Sequence, residues 1–127
     1  GIGRAGKWIA FRELPDGLFY HQAFDGYTGG ALAKALGDDL EGFKRGAKTM
    51  GGGSLTGFGD AAFEFQVLPR LWVAVTYWLG DDEDGFPPNA KVLFDQAASS
   101  YLITDGLAIL CSQLTRRIMR GAQAEQS

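Results

Sequence analysis

Residues 71–79 (LWVAVTYWL) are apolar except for Thr76 and carry no charge. The side chains of a strand alternate between its two faces, so a run that is apolar at both needs cover on both sides. We therefore expect this segment to be the central strand of a sheet, with the rest of the chain arranged around it. Residues 63–68 (FEFQVL) alternate apolar and polar and stop at Pro69, which has no amide to give a ladder. Residues 92–94 supply another short strand after a loop over 80–89.

At the N-terminal end, residues 7–14 (KWIAFREL) read as a strand, and Pro15-Asp16-Gly17 as a turn, because Pro presets φ and Gly tolerates the left-handed region. The aromatic run 18–24 (LFYHQAF) then completes a hairpin. Between Gly30 and Lys48 the period changes, with Leu32, Leu36, Leu40, Phe43 and Ala47 at helical spacing. Gly37 closes a first short helix, and Asp38 caps a second with Glu41 three residues on, a capping-box spacing. Residues 51–60 read as a flexible loop. Leu107, Leu110, Cys111, Leu114 and Ile118 form the stripe of a C-terminal helix, with Thr104 as its N-cap, Arg116, Arg117 and Arg120 at its negative end, and a frayed tail over 121–127. The expected class is α+β: a mostly antiparallel sheet with two short helices mid-chain and one C-terminal helix packed on it, in a single domain over 1–127.

A chain of 127 residues, 46% hydrophobic and 21% charged, can build such a core without a disulfide or a metal. The net charge of -3 sets the overall field against nucleic acid and anionic membranes. One cysteine, Cys111, and one histidine, His21, exclude an internal disulfide, a four-ligand Cys/His zinc site and a cysteine-ligated cluster built by this chain alone. No run approaches the roughly 18 apolar residues that a membrane span needs, and no signal-peptide pattern opens the sequence, so a cytoplasmic location is expected. Gly occurs 19 times, about twice the usual share, which requires many turns.

Residues 1–6 spell G-x-G-x-x-G and residues 57–62 its Ala-ended variant, but a dinucleotide fingerprint follows a strand and opens a helix, whereas both stretches lead into strands. Asp81, Asp82, Glu83 and Asp84 crowd hard oxygens onto one loop. An EF-hand register built on Gly85 would put Gly80 and Lys91 at its first and last ligand positions, which rules it out. Solvated carboxylates, one or two of them bonded to loop amides or Arg70, are the plainer reading. Cys111 falls in an apolar stripe, where a thiol packs as a small hydrophobe. The aromatic residues gathered on the expected strands are core, except that a minority beside Arg12 and His21 can line a pocket.

Separated blocks of this sequence resemble one known family. They include residues 8–15 (WIAFRELP) with Gly17, Phe19-Tyr20 and Ala23-Phe24; Gly51-Gly52 with Gly59-Asp60; Leu68-Pro69-Arg70; Trp78 with Gly80-Asp81; Phe86-Pro87; residues 93–95 (LFD); and Tyr101-Leu102 with Leu107-Ala108. In order and spacing, over about residues 6–114, they resemble the prokaryotic family known as domain of unknown function 3786. Asp84-Gly85 looks like an insertion relative to members, and Asp105-Gly106 stands where they carry an acidic pair. The resemblance implies anaerobic bacterial or archaeal origin, a setting in redox or cofactor metabolism by association with iron–sulfur-type segments, and a further N-terminal segment in members that this sequence lacks. It assigns no catalytic residue and no cofactor.

Two functional readings stay open at this level. The first is a non-catalytic ligand- or cofactor-binding accessory module with a cleft drawn from Arg12, His21, Arg70, Trp78 and Asp81, its ligand a small molecule. The alternative is a metal-assisted hydrolase or transferase in which Asp81, Glu83 and Asp95 hold a divalent ion. A short sheet with few helices also leaves surface uncovered, so the chain is expected to self-associate, or to meet a missing N-terminal segment, around the aromatic residues 8–24.

Overall fold

The computed structural model describes residues 7–13, 17–69, 71–95 and 104–124. The elements run in the order β1 (Trp8–Ala10), a 3-10 turn (Phe11–Glu13), α1 (Gly17–Tyr27), α2 (Gly29–Leu36), α3 (Leu40–Thr49), β2 (Gly53–Leu55), β3 (Ala61–Leu68), β4 (Leu71–Trp78), β5 (Asn89–Asp95) and α4 (Thr104–Ala124). The five strands form one antiparallel sheet in the order β1-β5-β4-β3-β2. This is an α+β arrangement, and the doubly apolar β4 is its middle strand.

Register sorts the side chains. Phe63 pairs with Val75 and Val75 with Val92, while Phe65 pairs with Val73, Val73 with Phe94 and Phe94 with Ile9. Directly paired residues share a face, so these side chains make one apolar surface, and all are buried. The described helices pack on it. Phe24 of α1 lies 5.8 Å from Phe94, and Phe43 of α3 lies 5.7 Å from Phe63 and 5.0 Å from Tyr77, centroid to centroid. The other face carries Trp8, Trp72 and Trp78, each half-buried, with Ala74 and Thr76 sunk between larger neighbours. Among the described residues no helix is long and apolar enough to cross a membrane.

The N-terminal hairpin does not form. The first strand ends at Ala10, whose amide donates to the Glu13 carboxylate at 3.2 Å, and residues 17–27 are helical. The helical period shows only when the window extends past residue 24: Phe24, Thr28 and Leu32 fall four apart and all are buried. Phe11 and Phe24 meet not as cross-strand neighbours but as stacked rings 4.0 Å apart. Both are buried, which leaves Trp8 as the partly exposed aromatic of β1.

Gly37 closes α2 at φ +57, a backbone angle that glycine reaches without strain. The cap of α3 is Asp39 rather than Asp38, its carboxylate accepting the Gly42 amide at 2.9 Å. Asp38 instead accepts the Gly80 amide at 3.0 Å and ties the head of α3 to the exit of β4. Residues 51–60 are not all loop, because residues 53–55 pair with β3 as β2. Three residues without alternation carry no strand signal of their own. The last helix starts at Thr104, within one residue of the expected cap, and runs to Ala124. The helix passes through Gly121 and the fully buried Ala122, which sit at the crossing with α3, and the rest of the expected tail, 125–127, lies outside the described residues.

Candidate functional site

Of the residues singled out from sequence, the structure brings Arg12 and His21 together. They line a hollow of about 170 Å³ with Asp25 of α1 and with Lys91 and Leu93 of β5. Trp78 and Asp81 sit at the exit of β4 and do not line it. Trp78 is paired with Asn89 at the end of the ladder. Arg70 lies outside the described residues.

The acidic loop is a tight turn. The amide of Asp81 donates to the Phe86 carbonyl at 2.7 Å, and the amide of Phe86 donates back to Asp81 at 2.9 Å. The Asp81 carboxylate accepts the amides of Glu83 at 3.0 Å and Asp84 at 3.3 Å, while Gly85 turns the chain at φ +73. Asp81 thus builds its own loop, as side chains of its type do in turns. Glu83 is exposed. Asp95 is buried at the far end of β5, beside Trp8. At 3.3–3.4 Å per residue, β5 separates Asp95 from the loop by about 20 Å. Among the described residues no three His, Cys, Asp or Glu side chains gather as a metal site.

A larger concavity, about 590 Å³, opens at the β2 side of the sheet. Its cause is local. The amides of Gly51 and Gly52 donate to the Lys48 and Ala47 carbonyls, both at 2.9 Å, closing the end of α3. Those bonds hold the chain out of the ladder until Gly53, so β2 covers β3 only as far as Glu64. Glu64, Phe65, Gln66 and Val67 then all line the groove. Consecutive residues of a strand point to opposite faces, so a cavity touching four in a row faces the strand's edge. A β-bulge between Gln66 and Leu68 bends the strand at that edge.

The opposite wall is α4, through Leu110, Gln113, Leu114 and Arg117. These positions follow the i, i+3, i+4, i+7 spacing of one helix face. Trp72 and Met50 complete the lining. Glu64 and Arg117 are the formal charges among the described lining residues, facing a floor made apolar by Phe65, Val67 and Leu114. Gln66 donates its amide to the Pro69 carbonyl at 3.0 Å, which leaves its side-chain carbonyl to accept. An aromatic ring, two amides and one charge of each sign over an apolar floor suit an amphipathic ligand.

The match of the family model is decided by the length it spans, residues 1–117. This chain belongs to the domain of unknown function 3786 family. The matched span contains the sheet, the hollow at Arg12 and the whole groove lining out to Arg117. No curated protein and no solved structure matches the chain.

The groove residues escaped the sequence reading for separate reasons. Trp72 and Gln66 read as parts of strands, and Arg117 as a charge complementing a helix end. Leu110 and Leu114 belong to the apolar stripe expected of the last helix, but Gln113 was not singled out, and what that side of the helix faces depends on where β2 stops. Cys111 is buried on the inner side of the same helix, and burial pushes its thiol well above the usual range, holding it protonated and a poor nucleophile.

Proposed function

We propose that this protein is a non-catalytic binding module whose ligand sits in the groove between the edge of β3 and α4. The observation that carries this reading is the groove itself: about 590 Å³, with Trp72, Gln66, Gln113 and Arg117 above an apolar floor. Binding sites of this size are mostly apolar with a few placed polar groups. The hollow beside Arg12 and His21, at about 170 Å³, is below the size of an ordinary ligand site. The chain is then an accessory protein of the cytoplasm, in the anaerobic prokaryotic setting that the family resemblance implies.

The test is amide and indole NMR of the full chain against a library of small aromatic carboxylates and amines. Chemical-shift changes gathered on Trp72, Gln113, Leu114 and Arg117, and lost in Gln113→Trp, are the expected result. Changes gathered instead around Arg12 and His21 would overturn it, as would a chain that binds neither this library nor extended peptides.

A further inference from the structure

We infer that the groove takes an extended polypeptide segment of a partner protein, which adds to the open edge of β3 in line with β2. The inference rests on the reading of the groove as the ligand site and names the class of ligand.

On the β2 side, no strand pairs with β3 beyond Glu64 among the described residues. Gly52 sits beside Phe65, and from Gln66 onward the strand edge borders the groove, where an amide or carbonyl that loses water needs a partner. A polypeptide backbone supplies donors and acceptors at the repeat the edge presents, which a compact small molecule does not. The ladder also has its direction set, because β2 stops at Gly53 where the end of α3 diverts it. An incoming segment occupies the place a longer β2 would have filled. Gly52 already sits against the Phe65 ring, so the segment faces residues 66–68 and needs about three residues, or about 10 Å.

The side chains decide what that segment carries. Alternate residues of an added strand fall on opposite faces of the sheet. On the helix-bearing face they meet Phe65, Leu110 and Leu114, and on the other face Trp72 and Gln66. The ligand is therefore apolar at every second position. Arg117, exposed on the α4 wall, adds a site for a carboxylate. A strand edge facing a helix face is a recurrent geometry for peptide capture, with affinity from the backbone and specificity from alternate side chains. A second copy of this chain would have to bring its own α4 and β2 against those already flanking the edge, and so fits worse than a single extended segment.

A random octapeptide library displayed on phage and panned on the full chain provides the test, with synthetic winners measured by fluorescence polarisation. Enriched peptides should alternate apolar residues and include an acidic residue or a free terminal carboxylate. N-methylation at alternate peptide amides should weaken binding at least tenfold, and at the intervening amides much less. Gln113→Trp, on the exposed side of α4, should abolish binding with an unchanged melting temperature, and Arg117→Gln should weaken it about fivefold to tenfold. A library that enriches nothing, winners indifferent to N-methylation, or winners unaffected by Gln113→Trp would overturn the inference. Dimerisation through the same edge, seen by light scattering and abolished by Gln113→Trp, would also overturn it. Small aromatic ligands that shift the groove resonances while no peptide is enriched would leave the groove as the ligand site and remove strand addition.

Discussion

Helices α3 and α4 cross on glycine. A Cβ placed on Gly46 would lie 2.2 Å from the Ile118 carbonyl oxygen and 3.0 Å from the Ala122 nitrogen, where ordinary contact starts near 3.4 Å. Both atoms are backbone, so Gly46→Ala requires α4 to retreat by about 1.2 Å. A gap of that order forfeits about half of the facing contact energy, and overpacked interiors cost about 1–3 kcal/mol. The retreat also strains the bond from Arg45 Nη2 to the Ala122 carbonyl, 2.7 Å long, of a charged type worth about 1.5–3 kcal/mol. Against these losses alanine returns about 1 kcal/mol of helix preference. The expected net loss is roughly 2–4 kcal/mol, a large share of the roughly 6–19 kcal/mol typical for a chain of this length.

Two other helical glycines serve as controls. A Cβ on Gly121 would meet the Gly46 Cα at 2.9 Å, also backbone but a smaller overlap, so Gly121→Ala should destabilise less than Gly46→Ala. Nothing lies within 4 Å of a Cβ on Gly26, and Gly26→Ala should stabilise by about 0.5 kcal/mol. Urea titrations at pH 7 measure all three, with the midpoint moving and the slope unchanged. A Gly46→Ala protein as stable as the parent, or a reversed order of the three, would refute the reasoning.

Tyr77 donates its hydroxyl to the Gly37 carbonyl at 2.5 Å, and burial, aided by Asp38 and Asp39, pushes its pKa from 10.0 up to about 12. Because the unfolded phenol ionises first, this contribution is complete below pH 10 and is lost as pH rises toward 12. Tyr77→Phe should cost about 1 kcal/mol at pH 7, and the gap to the parent should narrow above pH 10 in urea midpoints; a gap constant with pH would count against it. The Cys111 thiol should react with a disulfide reagent at pH 8 only as fast as the protein opens, at least a hundredfold slower than in urea, and rapid labelling of the native chain would contradict its burial. Millimolar Mg²⁺ or Mn²⁺ should leave the melting temperature unchanged, since Asp81 is engaged in its own turn and Asp95 is buried at the other end of β5. A rise of several degrees would restore a metal site.

The sequence by itself determined the sheet's middle. A run apolar on both faces has one stable place, and residues 71–78 occupy it, with the alternating residues 61–68 and the strand at 89–95 on either side. It also determined the stop at Gly37 and the long C-terminal helix, because both depend on local conformational preference and a stripe readable within a few turns. The tertiary structure decided the rest. Residues 18–24 are helical because Phe24 belongs to a line continued by Thr28 and Leu32, and because its ring stacks on Phe11 of the 3-10 turn. Asp38 left the cap to Asp39 because the amide of Gly80 lies within its reach. Arg12 and His21 share a hollow only because α1 folds over β5, while Trp78 ends the β4 ladder and Asp81 lies beyond it, outside that hollow. The groove has no local signal at all. It exists because two amides that close α3 turn the chain away from β3 three residues before Leu55, and the open edge is then walled by a helix more than 40 residues further along the sequence.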